Sequence, residues 1–396
     1  MSFNKFSLCL LCCSGYKNDP LIRDFFDIES DDCKTAVSAY SSLCFRLLSS
    51  GVTLSDYIFT LAVDCNNPML ETYIKTRDES VLRAIRNDIG ILSEIAHVSS
   101  EEIISYLVKK FDLYGLSFPV FETGDTEITA EAVISYAERY GSPLFADNKA
   151  FVFENNRLLP SEWNDEIMLR DLKNYYTQRQ KLIDNTVCFV NGYKAQNALL
   201  YGDRGTGKSS TIKAIANEYD SLRIIQIPKS SIMNIVSLYE IISDNPLKFI
   251  LFIDDITFSE NDEGYSFLKQ ILEGSVVTIP ENCVIYATTN RRHIIKETVS
   301  ERSGDEVHAS DARDENMSLA DRFGLYITFL APDKNEYLDI VRQIASDRKI
   351  EISDEKLCAL AERFALKKCG RSPRTAKQFV DIIQSKAELS MDIENI

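Results

Sequence analysis

Leu199 to Tyr219 reads LLYGDRGTGKSSTIKAIANEY, and its residue types suit the capture of a polyphosphate. Gly202, Gly207, Lys208 and Ser209 satisfy G-x-x-x-x-G-K-[ST] in full, between a predicted strand, Ala198 to Tyr201, and a predicted helix, Ser209 to Tyr219. Lacking β-carbons, Gly202, Gly205 and Gly207 let the backbone curl until successive N–H groups point into one concavity at a positive helix terminus. Thr206 and Ser210 complete the nucleotide-binding set. Lys208 would reach the β- and γ-phosphates, and the Ser209 hydroxyl would bind Mg²⁺.

Hydrolysis needs acids beside that cradle, and KFILFIDD supplies them. The apolar run Phe249 to Ile253 predicts a buried strand that delivers Asp254 and Asp255 to the carboxyl edge of a sheet, where the metal would lie. Asp254 would hold Mg²⁺ through its water shell, and Asp255 would orient or deprotonate the attacking water. Paired carboxylates at a strand end are common in isolation; downstream of a phosphate loop they are not.

The elements that must position these groups are legible around them. From Asn197 the texture is strand, glycine loop, helix, strand: NALLYG, SSTIKAIANEY, LRIIQI, KFILFIDD and NCVIYATTN. Short apolar strands alternating with helices predict a parallel sheet covered on both faces. After Pro332 three helical stripes follow, led by Tyr337, Leu357 and Phe379. Upstream, residues 30–140 read as helices: one stripe from Ala36 to Leu47 stops at Gly51, another runs from Leu82 to Ile95, and Ser99 with Glu102 forms a capping box that opens a third. AFVFENNRLLP reads as a hairpin around Asn155 and Asn156. The predicted fold class is α/β: a P-loop parallel-sheet domain with a C-terminal helical lid, preceded by a mainly helical N-terminal domain. The expected domains are a helical adaptor at 1–155, a nucleotide-binding core at 166–331 and the lid at 332–396, with the boundary between Phe145 and Glu166.

Composition narrows the function classes. At 396 residues, 45% hydrophobic and 26% charged, the chain suits a soluble protein of two or three domains. No apolar run approaches the roughly 18 to 20 residues of a membrane span, and the segment MSFNKFSLCLLCCSGY is a poor export signal. The expectation is a cytoplasmic protein with no membrane partner. A net charge of −16 disfavours non-specific nucleic-acid binding, although Arg291 and Arg292 form a local basic pair. Ten cysteines carry no second CxxC beside Cys9, Cys12 and Cys13, and three histidines are too few for a recognisable zinc pattern, so the cysteines read as free thiols.

The stretches NALLYGDRGTGKSS, KFILFIDDITF, YATTNRRHIIKET, SLADRFGLYITF and GRSPRTAKQF resemble the AAA+ ATPases over roughly Ile167 to Ile383. Among these the chain is most similar to the family catalogued as domain of unknown function 815, bacterial P-loop ATPases. The resemblance implies further roles by position. Asn290 looks like the sensor-1 residue that holds the attacking water against the γ-phosphate. Arg322 looks like the arginine finger that reaches the γ-phosphate of a neighbouring subunit, against the plain alternative of a surface ion pair. Arg374, behind a helix-opening Pro373, looks like sensor 2. LKNYYTQRQKLIDNT resembles the segment that contacts adenine, which nominates Tyr175 with Tyr176, although Asn174 stands where the family usually has glycine. Asp255 is also a departure, one methylene shorter than the usual glutamate, and the acidic segment from Lys296 to Ser318 is longer than a minimal connection; ordering of that segment on assembly or partner binding is one expectation.

These residues and the resemblance imply an ATP-binding protein that hydrolyses MgATP at a subunit interface. The expected cofactors are ATP and Mg²⁺, the expected assembly a homo-oligomeric ring such as a hexamer, and the expected client an unidentified protein met through the N-terminal domain. Two alternatives stay open: an ATP-gated binding module with negligible hydrolysis, and a DNA-associated helicase or helicase loader.

Overall fold

The computed structural model describes residues 15–64, 68–161, 167–257, 263–275, 277–290, 322–368, 370–389 and 391, in two compact units, Met1–Asp147 and Asn148–Ile396. The cysteines at 9, 12 and 13, Trp163, the Arg291–Arg292 pair and the acidic segment 296–318 lie outside the described residues.

The first unit is built from helices α1 (Pro20–Asp27), α2 (Cys33–Ser50), α3 (Leu54–Asp64), α4 (Pro68–Thr76), α5 (Glu79–Ala96), α6 (Ser100–Phe111), α7 (Ala130–Tyr140) and α8 (Pro143–Asp147). Local chemistry sets their ends. Asp32 caps α2 by accepting the Thr35 N–H, and Gly51, at φ 66°, ends it in the left-handed conformation that glycine adopts without strain. Ser99 and Glu102 form the capping box of α6. Tyr40, Leu43, Leu92, Ile95, Ile103 and Leu107 meet in the core, where full burial of each large aliphatic side chain stabilises by about 1.5–3 kcal/mol. Residues 112–129 carry no helix or strand.

The second unit holds a seven-stranded sheet in the order β2-β1-β4-β5-β6-β3-β7, with β1 (Ala150–Glu154), β2 (Arg157–Pro160), β3 (Ala198–Gly202), β4 (Leu222–Gln226), β5 (Lys248–Ile253), β6 (Cys283–Thr289) and β7 (Leu325–Phe329). Every neighbouring pair is parallel except β1 with β2. That hairpin turns on Asn155 and Asn156, at φ 52° and 59°, the left-handed pair a two-residue turn requires. The domain limits read from the sequence gave residues up to 155 to the helical domain. Instead β1 adds to the sheet beside β4, with Ala150 opposite Ile224. Pairing satisfies its backbone and buries Phe151 and Phe153 completely, so the units part between Asp147 and Asn148.

Around the sheet lie α9 (Tyr176–Val190), α10 (Lys208–Glu218), α11 (Ile235–Ile242) and α12 (Glu263–Glu273). The chain then ends in a three-helix lid of α13 (Lys334–Asp347), α14 (Asp354–Lys367) and α15 (Pro373–Glu388), closed over Tyr337, Val341, Phe364 and Phe379. Among the described residues no helix is long and apolar enough to cross a membrane.

Candidate functional site

Strands β5, β6 and β3 lie side by side and parallel, so their carboxyl ends share one edge of the sheet. Register sets Tyr201 opposite Thr289 and Ile253 opposite Ala287. The chain therefore brings the phosphate loop after β3, the acids after β5 and Asn290 after β6 to one place.

Gly202 has φ 138°, and a β-carbon there would stand 1.9 Å from the carbonyl oxygen of Phe329 on β7. Only glycine allows β3 to pair so closely with β7 and turn into the loop. Gly205 and Gly207, at φ 77° and 93°, continue a left-handed path into α10. Thr206 is buried and its hydroxyl donates to the Asp203 carbonyl at 2.8 Å. Ser210 sits half-buried in the first turn of α10.

Lys208 is 5% exposed, and its Nζ donates to the carbonyls of Gly202 and Asp203, both at 2.7 Å, and to Asn290 Oδ1 at 2.8 Å. These bonds use all three donors of the ammonium group. Burial pushes its pKa down to about 8, only partly offset by the charges of Asp203, Asp255 and Asp254. A buried cation held by dipoles, with no carboxylate bonded to it, suits an anionic ligand.

Asp254 Oδ1 accepts two hydroxyls at 2.6 Å, from Ser209 and from Thr288. Thr288 Oγ1 also accepts the backbone N–H of Asp255 at 2.9 Å. Asp255 lies at φ 49°, a conformation an aspartate adopts at a cost of about 1 kcal/mol, and its Oδ1 accepts the Asn290 side-chain N–H at 2.6 Å. The Ser209 hydroxyl and Asp254 carboxylate together present hard oxygen ligands of the kind Mg²⁺ takes.

The lid reaches the same place. Arg374 donates its backbone N–H to the Gly205 carbonyl at 3.2 Å, and a β-carbon on Gly205 would stand 2.9 Å from Ser372 Oγ. The first turn of α15 thus rests on the phosphate loop, and the exposed Arg374 is near enough for its charge to lower the pKa of Lys208.

Arg322 lies elsewhere. It precedes β7, whose first residue, Leu325, is opposite Ala198 at the start of β3, so Arg322 belongs to the amino edge of the sheet. The five residues of β3 separate that edge from the loop by about 17 Å. There its Nε is 2.5 Å from Oε1 of Glu273 at the end of α12, the surface ion pair that stood as the plain alternative.

Tyr175 is buried, with its ring 5.2 Å from that of Phe329 and its hydroxyl donating to the Leu330 carbonyl at 2.6 Å. It ties the start of α9 to the end of β7; Tyr176 is exposed and reaches Gln343 of the C-terminal helices. Asn174 and Tyr175 have φ of 60° and 55°. A left-handed backbone at 174 explains why glycine suits that position and why asparagine is a tolerable substitute.

Two residues were missed. Thr288 had a signal: a hydroxyl within an apolar strand, two residues before Asn290 and so on the same side of it. Asp203 had none, since its carboxylate accepts the N–H of Ala331 at 2.7 Å and this pairing depends on where β7 returns.

The sequence pattern of the family described as "Protein of unknown function (DUF815)" matches residues 146–387, more than half of the chain. Among curated proteins, the replication factor C large subunit of Nanoarchaeum equitans (strain Kin4-M) is 23% identical over 203 residues, 49% of this chain and 41% of that protein. The chain thus spans about two fifths of that relative's length. Among solved structures, the RuvB Holliday junction branch migration motor of Thermotoga maritima aligns at 17% identity and a TM-score of 0.40, over 57% of this chain and 67% of that one. A single-substitution mutant of the same protein aligns at 18% and 0.41 over the same shares. With its glycine loop, paired acids and C-terminal helices gathered around one mostly parallel sheet, the chain belongs to the DUF815 family.

Proposed function

We propose that the chain binds MgATP at the carboxyl edge of β3, β5 and β6 and hydrolyses it when a second subunit completes the site. The observation that carries this reading is the shared carboxylate of Asp254, bonded to the Ser209 hydroxyl of the phosphate loop at 2.6 Å while Asn290 engages both Lys208 and Asp255.

Gly202, Gly205, Thr206, Gly207, Lys208 and Ser210 would cradle the phosphates, and Ser209 with Asp254 would hold Mg²⁺. The metal supplies charge neutralisation at the phosphate oxygens when bound. Asp255 takes the proton of the attacking water, which Asn290 positions. Arg374 senses the nucleotide from the lid. Arg322, at the far edge of its own sheet, would serve a neighbour, which implies a homo-oligomeric ring. In this reading the N-terminal unit selects a protein client, and movement of the lid delivers the work in the cytoplasm.

The test is ATP turnover against protein concentration for the wild type, Lys208→Ala, Arg322→Ala and an equal mixture of the two variants. Turnover that rises cooperatively, is lost in each variant and partly returns in the mixture supports hydrolysis at an interface. Turnover independent of concentration overturns it. A second reading, ATP-gated binding with negligible hydrolysis, draws on the short Asp255 side chain and its bond to Asn290; it expects tight ATP binding and no phosphate release from any assembly.

A further inference from the structure

Among its described residues, every large apolar side chain that the N-terminal unit leaves exposed falls in two stretches: Phe45, Leu48 and Val52 at the end of α2, and Tyr114, Leu116 and Val120 within residues 112–129. These stretches are neighbours. Lys110, just before the second, donates to the carbonyls of Glu29 and Ser30 ahead of α2. Further on, the Pro119 carbonyl accepts from Tyr40 Oη at 2.6 Å and from Cys44 Sγ at 3.8 Å at mid-helix. The Glu122 carbonyl then accepts the Leu54 N–H just beyond the helix. The segment therefore runs along the whole of α2. At 100° per residue, Leu48 follows Cys44 by about one turn, beside the row that Pro119 touches, and Phe45 flanks it; Val52 follows just past the Gly51 cap. Phe45 is 72%, Leu48 57% and Val120 52% exposed, so these adjoining stretches both present apolar side chains to solvent; we read them as one ridge, a feature that marks interaction surfaces.

The segment that carries the second stretch is acidic. Asp112, Glu122, Asp125 and Glu127 are exposed along the segment, and no lysine or arginine occurs between Lys110 and Arg139. Arg46, on α2, is engaged by Asp24 of α1 at 3.1 Å.

We propose that this ridge docks a basic amphipathic segment of a client protein. Its apolar side chains, at i and i+3 or i+4, pack on Leu48, Phe45 and Val120, and its lysines or arginines face the acidic flank. A second copy of this chain is disfavoured because a two-fold contact would bring like-charged flanks together. Nucleic acid and anionic lipid are repelled for the same reason. The proposal rests on reading the N-terminal unit as the client-selecting part. Its test uses no nucleotide, so a failure of docking and a failure of hydrolysis are told apart.

The full-length protein is titrated into a fluorescent helix-forming peptide about five turns long with leucine on one face and lysine on the other, and into its leucine–glutamate counterpart, at physiological salt. The lysine peptide is expected to bind. Phe45→Ser with Leu48→Ser should weaken it at least about tenfold, the loss expected when apolar contacts of this size are removed. Glu122→Lys with Asp125→Lys should weaken it too and admit the glutamate peptide. All four positions are exposed, and an unchanged thermal midpoint checks that the fold is kept. The proposal is overturned if the lysine peptide does not bind, or if neither variant alters its binding, which would mean attraction to net charge alone. Equal binding of the glutamate peptide by the wild type also overturns it, as does self-association or uptake by phosphatidylserine vesicles that Phe45→Ser abolishes.

Discussion

Lys208 donates to the side-chain oxygen of Asn290 at 2.8 Å, and the same asparagine donates to Asp255 at 2.6 Å. An incoming γ-phosphate must compete for the ammonium group, because its other two donors are held by the carbonyls of Gly202 and Asp203. The asparagine is the side-chain partner and so the easiest to release. Asn290→Ala should therefore leave nucleotide affinity unchanged or raise it a few-fold, while turnover falls by about two orders of magnitude through loss of the positioned water. Titration of a fluorescent ATP analogue beside phosphate-release rates separates the two effects. A variant that loses affinity in proportion to its rate would make Asn290 a binding group.

Thr288 is buried and bonded to both acids at once, to the Asp254 carboxylate and the Asp255 N–H. In the proposed reading it is a positioning residue: its hydroxyl holds the Asp254 carboxylate and the Asp255 backbone against each other. Thr288→Val keeps the shape and removes the clamp, leaving a backbone N–H unsatisfied at a cost of about 1–3 kcal/mol. The Mg²⁺ concentration for half-maximal nucleotide binding should rise about tenfold in Thr288→Val and return in Thr288→Ser, which restores the hydroxyl. A loss of thermal stability with unchanged Mg²⁺ dependence would reduce Thr288 to a packing residue.

Lys208 has a pKa lowered to about 8 by burial, against 10.5 for the free side chain. Below pH 8 the folded protein carries the charge at a desolvation cost. Between pH 8 and 10.5 the unfolded chain binds the additional proton, so this group makes stability rise with pH across that window. Nucleotide acts in the opposite sense, since phosphate favours the protonated amine. Calorimetry in buffers of different ionisation enthalpy should find little proton uptake on ATP binding at pH 7 and uptake approaching one proton by pH 9. Absence of uptake at pH 9 would show that Lys208 stays charged in the free protein.

The sheet and its loop were legible because periodicity and spacing are local. Gly202, Lys208, Asp254 and Asn290 each terminate or follow a short apolar strand, and parallel register does the rest. What stayed hidden depends on contacts between distant segments. β1 looks like part of a separate hairpin until the edge of β4 is seen beside it. Asp203 looks like a loop residue until β7 brings Ala331 to its carboxylate. The bond of the Tyr175 hydroxyl to the Leu330 carbonyl, between segments about 155 residues apart, was equally out of reach of the local pattern.

Arg322 is held by Glu273 at the amino edge of the sheet, away from the phosphate loop of its own chain. If Arg322 serves a neighbour, docking must break this ion pair before the guanidinium can meet phosphate. The pair is partly exposed, with side chains 37% and 30% accessible, so breaking it costs at most about 1 kcal/mol. Glu273→Gln removes that cost, and the protein concentration for half-maximal turnover should fall by up to about fivefold at an unchanged maximal rate. The measurement is turnover against protein concentration, with mass by light scattering on the same samples. Arg322→Ala sets the floor. If Glu273→Gln falls to that floor, the glutamate orients Arg322 toward the neighbour and the ion pair belongs to the assembled state; if the curve does not move, the pair is a solvated surface contact and the site is completed by some other group.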